Sequence, residues 1–274
     1  MKWQYAESFG AERLAAGFSI LEINVGVVSI SGLTIAGGSA DYGGGINNFG
    51  SLTLTATVIT GNHANLNGGG LQNAGTLHVV GSTISRNSAA YGAGLFNYSS
   101  GVYGGNADLI NTTTSGNSAT ESGSSIGNVT FIATPAAVAL TNCTLANNTG
   151  GEASVVAVDE GGQAVISLMN TILADNSASS LATSGANAHV TTLGHNLASD
   201  GGGGFPTGAG DQINTDAKLT ELRDFGGHTP TRLLALNSPA VDAGASVGSP
   251  ATDQRGVSRP TGLFPDIGAP QSAH

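Results

Sequence analysis

Positive charge is scarce in this chain. Eight Lys and Arg stand against eighteen Asp and Glu in 274 residues, a formal charge of −10. Arg86 is the only Lys or Arg between Val28 and Ala217. So acidic a chain has no cationic face for a phosphate backbone or an anionic bilayer, which argues against nucleic acid or a membrane surface as partner. Cys143 is the one cysteine, so no intrachain disulfide forms and the thiol carries no information about compartment. No apolar run approaches the roughly 20 residues of a membrane-spanning helix. Met1 to Gly10 has a Lys but no apolar stretch after it, so no secretion signal is expected in this chain. Charged residues make up 9% and aromatics 5%, too few Leu, Glu, Lys and Arg for a helical globule and too little charge for a disordered chain.

Glycine and short β-prone runs take the place of those residues. Gly43-Gly44-Gly45-Ile46-Asn47-Asn48 returns as Gly68-Gly69-Gly70-Leu71-Gln72-Asn73 and as Gly92-Ala93-Gly94-Leu95-Phe96-Asn97. A period of 24 or 25 residues with Gly turns is the signature of a β-solenoid. The coils align on an apolar residue with Asn three places later: Ile59/Asn62, Ile84/Asn87, Thr114/Asn117, Leu145/Asn148 and Leu173/Asn176. Ile35 precedes them, and Leu193/Asn196 is the expected seventh pair. Upstream pairs alternate: Val28/Ile30, Leu52/Leu54, Leu77/Val79, Ala107/Leu109, Val138/Leu140 and Ile166/Leu168. Alternation with period two points these side chains into the solenoid. Leu33, Thr57, Ser82, Thr112, Cys143 and Thr171 form a small-residue column suited to a corner, which makes Cys143 a buried packing residue. Asn48, Asn73, Asn97 and Asn128 should stack as an amide ladder.

The expected fold is therefore all-β, a single-stranded right-handed parallel β-helix of about seven coils. Residues 1–27 give a cap and first strand, with an amphipathic helix over Met1 to Phe18. Residues 28–200 form the coils, and residues 201–274 a Gly-rich linker with a non-repeating C-terminal cap. Asp242, Asp253, Arg255, Arg259 and Asp266 would hold that cap on the last coil through ion pairs. Coil spacing widens to about 30 residues at Ser99–Asn106 and Thr130–Ala136, which the repeat logic assigns to loops on one face, where binding residues concentrate.

The coils resemble those of right-handed parallel β-helix surface proteins, including the polymorphic outer-membrane-protein repeats. The tail resembles that of bacterial choice-of-anchor β-helix proteins, through Asp224-Phe225-Gly226-Gly227-His228-Thr229-Pro230-Thr231, Asn237-Ser238-Pro239-Ala240-Val241-Asp242-Ala243-Gly244, Thr252-Asp253-Gln254-Arg255-Gly256 and Asp266-Ile267-Gly268-Ala269. The similarity spans about Val28 to Ala269 and implies a bacterial secreted or cell-surface protein, hence an extracellular location. It supplies no catalytic residues. The sequence departs from the pattern at Met1 to Phe18 and in ending at Pro270-Gln271-Ser272-Ala273-His274.

Two functional classes fit. In the first, the chain binds a polysaccharide or cell-surface glycan through Tyr42, Phe49, Tyr91, Phe96, Tyr98 and Tyr103. Tyr42 and Tyr91 share one coil position and Phe49 and Tyr98 another, so the rings offer either a stacking surface for sugars or shields for the sheet corners. In the second, the widened coils carry a polysaccharide lyase, glycoside hydrolase or ester hydrolase. Asp108, Glu121, Asp159 and Glu160 are the candidate carboxylates, His63, His78 and Arg86 a candidate base-and-cation cluster, and Ser125 and Ser246 each sit in a Gly-x-Ser-x-Gly. A solenoid corner lacks the strand-turn-helix of a nucleophile elbow. Asp41, Asp108, Glu121, Asp159 and Glu160 are also the possible Ca²⁺ ligands, with Asp159-Glu160 before Gly161-Gly162 the best pair. No nonapeptide Ca²⁺ array is present, so no cofactor is expected. The outward column Val58, Thr83, Thr113, Thr144, Ile172 is too irregular for an ice-binding face.

Overall fold

A computed structural model describes residues 17–99, 101–131, 133–204 and 207–272. The helix expected over Met1 to Phe18 lies, up to residue 16, outside the described residues. The rest is a parallel β-solenoid of about seven turns whose strands stack into four sheets. The first sheet comprises Leu21–Ile23, Ile46–Asn48, Leu71–Asn73, Leu95–Ser99, Ile126–Thr130, Ala153–Asp159 and Ser179–Ser184. Val27–Ser31, Ser51–Thr55, Thr76–Val80, Asn106–Ile110, Ala136–Thr141, Ala164–Met169 and Ala188–Thr192 make the second. The third holds Thr34–Ala36, Val58–Thr60, Thr83–Ser85, Thr113–Ser115, Thr144–Ala146, Ile172–Ala174 and Leu197–Ala198. A shorter fourth sheet, Ser39–Tyr42, His63–Asn67, Ser88–Tyr91 and Ser118–Ser122, closes the first four turns. Among the described residues no helix is long and apolar enough to cross a membrane.

The register follows the sequence columns. Val28, Leu52, Leu77, Ala107, Val138 and Ile166 stack in successive turns, as do Ile30, Leu54, Val79, Leu109, Leu140 and Leu168. Together with Ile46, Leu71, Leu95, Ile126 and Val155 from the first sheet they fill one continuous apolar core. At the corner between the fourth and first sheets, a Cβ on Gly45 would come within 2.5 Å of the Gly70 carbonyl oxygen, so the turns stack there only without a side chain. Cys143 is fully buried in its corner column, and desolvation pushes its thiol pKa up to about 12.

Two buried amide ladders run along the axis. Asn48, Asn73, Asn97 and Asn128 are joined at 2.7 Å, each Nδ2 donating to the next Oδ1. In the other, Asn62, Asn87, Asn117, Asn148 and Asn176 are joined at 2.9–3.1 Å. Each Nδ2 there also donates to a carbonyl of the preceding turn, as Asn117 does to Ile84 at 3.0 Å, and each Oδ1 also accepts a backbone N–H, as Asn117 does from Asn87 at 3.0 Å. One side chain thus ties three turns together.

The seventh turn differs from the expected pairing. Leu173 pairs with Ala198, and Leu193 is 61% exposed outside the column. Asn196 instead continues the corner column: its Oδ1 accepts the Thr171 N–H at 2.9 Å. Asp211 then terminates that column, its Oδ1 accepting from the Asn196 N–H at 2.7 Å and its Oδ2 from Thr192 Oγ1 at 2.5 Å. The end of the Gly-rich segment joins the end cover, since the His195 N–H donates to the Ala209 carbonyl at 2.8 Å.

The C-terminal segment is not a plug on the last coil. It folds back along the outer face of the third sheet, reaching the third turn at Gly81 and Thr83. The outward Thr column is its attachment rail. Thr83 Oγ1 donates to the Pro230 carbonyl at 2.5 Å, Thr113 Oγ1 to Gln254 Oε1 at 2.6 Å, and Thr144 Oγ1 accepts from Ala269 N–H at 3.0 Å. Ala146, Ile172 and Leu197 pack there against Leu234, Ala240 and Ile267 as a second apolar core. The expected ion-pair set also works locally rather than on the last coil. Arg255 clamps the buried Asp253 carboxylate through Nε at 3.0 Å and Nη2 at 2.8 Å. Arg259 donates to the carbonyls of Asp266 and Ala269 at 3.0 Å, and to Asn111 Oδ1 at 3.2 Å on the fourth turn. Desolvation pulls its pKa down to about 10, which still leaves it charged at neutral pH.

Two outcomes are expected. Asn117→Ala strands the Asn87 donors and the Ile84 carbonyl in the interior and should cost about 3 kcal/mol in urea unfolding, because each orphaned buried polar group costs about 1–3 kcal/mol; a loss near zero would show that the ladder adds nothing. Arg255→Ala leaves the buried Asp253 carboxylate with its backbone N–H donors but without its guanidinium, at about 3–5 kcal/mol, which should lower the thermal midpoint by roughly 5–10 °C. An unchanged midpoint would refute the assignment.

Candidate functional site

The outer face of the first sheet changes character along the axis. Its outward column reads Glu22, Asn47, Gln72, Phe96, Gly127, Val156, Ala182. Above Phe96 the column is polar. Beyond it, Gly127 contributes no side chain, and a Cβ there would meet Phe96 Cδ2 at 3.3 Å. A hollow of about 450 Å³ opens at this step. Phe96, Gly127, Val129, Val156 and Val158 form its floor. Asn67, Tyr91, Glu121, Ser122 and Glu152 stand on the edge toward the fourth sheet, and Phe131, Glu160 and Ser184 on the edge toward the second.

Each edge has a structural cause. The described residues of the two inserted loops, 101–105 and 133–135, lie at the corner between the first and second sheets, and they stack, Thr134 Oγ1 donating to the Gly101 carbonyl at 2.8 Å. The loops deliver Tyr103 against Phe49, with ring centroids 5.3 Å apart, and Phe131 against Tyr98 at 6.2 Å. Phe96 lies 5.8 Å from Tyr98, so Phe96, Tyr98 and Phe131 form one chain of rings within the usual 4.5–7 Å of aromatic contacts. Burial raises the Tyr98 phenol pKa, partly opposed by a hydrogen bond from the Gln72 side chain and reinforced by Tyr103 and Tyr42. On the opposite edge, the Glu152 N–H donates to the Glu121 carbonyl at 3.0 Å, so two exposed glutamates sit on adjacent turns.

The six sequence-predicted rings therefore divide. Tyr42 and Tyr91 do occupy one position, flanking Asn67 in register, and are 45% and 43% exposed. Phe96 is 3% exposed and serves as floor rather than as a stacking platform. Ala74 separates Phe49 from Tyr98, so no uninterrupted column of rings exists along the axis.

The candidate catalytic residues do not converge. Ser125 is fully buried, its Oγ 2.5 Å from Thr114 Oγ1, out of reach of any substrate. His63, His78 and Arg86 sit on different sides of the solenoid. His63 lies in the fourth sheet, with Nδ1 2.9 Å from Ser88 Oγ, and His78 in the second. Arg86 occupies a left-handed corner (φ 54°) after the third. The expected cluster is thus absent, because the residues are separated by fractions of a coil, which carry the chain from one face to another, whereas residues a full coil apart share a face. His78 does face outward as alternation requires, and its Nδ1 lies 3.1 Å from Asp108 Oδ2 on the next turn. Asp159 is committed to its turn: Oδ1 accepts the N–H groups of Gly161 and Gly162, both at 2.8 Å, and Oδ2 those of Asn187 at 2.9 and 3.0 Å. Asp41 accepts from Asn65 Nδ2 at 2.6 Å. Among the described residues, no three His, Cys, Asp or Glu are grouped to hold a metal ion.

Glu121 and Glu160 are brought to the same hollow as Tyr91 and Phe96, on opposite edges. Glu152 and Phe131 complete that setting and escaped the sequence reading. The signal for Glu152 was its place after Gly150-Gly151 in the coil following Glu121; for Phe131, its position at the head of the inserted loop. No family model matches the chain, and no curated protein or solved structure matches it either.

The turn hydrogen bonds lower the Asp159 pKa below 3.8, those from Gly161 and Asn187 most, because they favour the ionised form. A depressed folded-state pKa stabilises the fold above the unfolded value and loses that contribution as pH falls through the folded value. Asp159→Asn should therefore flatten the acid limb of the stability profile below pH 3.8. An Asp159 carboxyl titrating at or above 3.8 by NMR would contradict this.

Proposed function

We propose that the chain is a secreted or cell-surface module that binds a polysaccharide chain in the hollow on the first sheet. The observation that carries this reading is the pair of exposed rings Phe131 and Tyr91 on opposite edges of an apolar floor that includes Phe96, with Phe131 braced by Tyr98 behind it. Sugar rings present C–H faces to aromatic side chains, while their hydroxyls need hydrogen-bonding partners at the rim. Asn67, Ser184 and the edge glutamates supply such partners. The resemblance of the tail to choice-of-anchor proteins supports a bacterial, extracellular setting.

One arrangement favours a second reading. Glu121 and Glu152 lie on adjacent turns, so their backbones are about 4.8 Å apart, and two carboxyl groups about 5–5.5 Å apart are what a retaining glycosidase requires. Under that reading the same hollow would cleave the chain that it holds.

Affinity electrophoresis through gels carrying neutral and charged polysaccharides, each assayed afterwards for reducing ends, separates the two. Retardation without new ends is expected. Phe131→Ala and Tyr91→Ala, both at exposed rings, should each weaken it up to about tenfold, the size of a lost aromatic contact. New reducing ends that disappear in Glu121→Gln or Glu152→Gln would replace binding by hydrolysis. Unretarded migration in every gel would eliminate both.

A further inference from the structure

Three carboxylates border the hollow, Glu121 and Glu152 on one edge and Glu160 on the other, and its lining contains no Lys, Arg or His. Arg86, the only Lys or Arg between Val28 and Ala217, lies at a third-sheet corner instead. The three glutamates are exposed and have no salt-bridge partner among the described residues. A groove built for a neutral sugar gains nothing from three uncompensated like charges, and one built for a uronic acid would be repelled by them.

We propose that the ligand is an amine-bearing saccharide chain, a polymer of amino sugars with free protonated amino groups. This rests on the glycan-binding reading above and specifies its ligand class. The two edges are separated by the strand Ala153–Asp159, seven residues or about 23 Å of extended chain. A ligand that meets both edges must therefore carry amines on several residues of a chain, which a single sugar does not. The rings act in the same direction: a cation within about 6 Å of an aromatic face is attracted to it, and Tyr91 and Phe131 each stand beside a glutamate edge. A Lys-rich peptide has the same charge. Its amines sit on flexible stems whose immobilisation opposes binding, whereas a sugar amine is fixed to a rigid ring whose C–H face can lie on Phe131.

The test is calorimetric titration of the full chain with glucosamine oligomers, their fully N-acetylated counterparts, oligogalacturonate and oligolysine, at 0.1 M and 1 M salt. The free-amine oligomer should bind about tenfold more tightly than the acetylated one at 0.1 M, since each exposed ion pair contributes at most about fivefold. The preference should collapse at 1 M, where the screening length falls from about 10 Å to about 3 Å. The variant carrying Glu121→Gln, Glu152→Gln and Glu160→Gln, all exposed and therefore compatible with folding, should lose the preference, its affinity for the free-amine oligomer falling to that for the acetylated one. Equal affinity for both oligomers, or a preference that survives in the triple variant, would overturn the amine proposal while leaving glycan binding intact. Binding of oligolysine alone, or of nothing, would overturn both.

Discussion

The structure depends on one constraint: the inward-facing Asn side chains must meet from turn to turn. Asn117 donates to Asn148 and to Ile84 and accepts two donors from Asn87, so it binds the turn on either side of it. Removing an amide from a buried network exposes its partners to full desolvation, which is why such networks are occupied at every turn or not used. A ladder of this kind fixes the register absolutely, because slipping by one residue would carry each amide to the outer face and each adjacent apolar side chain with it. Insertions are consequently confined to the corners. The coil grows from 25 residues between Asn62 and Asn87 to 31 between Asn117 and Asn148, and the ladder geometry does not change.

Corner insertions then decide where a surface can be shaped. Both long loops fall between the first and second sheets, and they raise a wall of rings beside a face that is otherwise flat. The opposite flank is spent on stability: the C-terminal segment covers the third sheet through Thr83, Thr113 and Thr144 and the second apolar core. Of the two seven-stranded sheets left open by that strap, the second carries the His78–Asp108 pair beside a hollow of about 390 Å³ with no Phe, Tyr or Trp in its lining, whereas the first combines rings, an apolar floor and charged edges.

What the sequence revealed and what it concealed follow from the same geometry. Columns such as Leu52/Leu77/Ala107 were legible because each turn repeats the same alternation, and both amide ladders were legible because Asn recurs at a fixed place. Repetition fails at the end of the array. There Leu193 mimics the apolar column, yet Ala198 occupies it, and the deciding partner, Asp211, belongs to no repeat. The flank position of the tail was hidden for a related reason. Gln254 reaches Ser82 across 172 residues, and nothing local in either segment encodes that meeting. Side-chain clusters were the least legible of all. His63 and His78 look adjacent in the chain but lie on different sides, while Glu121 and Glu152, far apart in sequence, neighbour one another across a turn.

That last contrast explains why the site sits in the middle of the solenoid. In a stacked fold, residues meet when they share a column, so a constellation is built by changing one position in consecutive turns. Phe96, Gly127 and Val156 are such a series: a ring, a void and a small apolar group in one column, which together make a step in the sheet surface. At the terminal turns a column has a neighbour on one side only, and a step there would open onto the exposed edge. Between the third and sixth turns both neighbours are present, the ladders hold the strands in place, and the side chains along the step are positioned before any ligand arrives. Preorganisation of that kind lowers the ordering cost of binding, which is what the proposed selection of a ligand by charge in so open a groove requires.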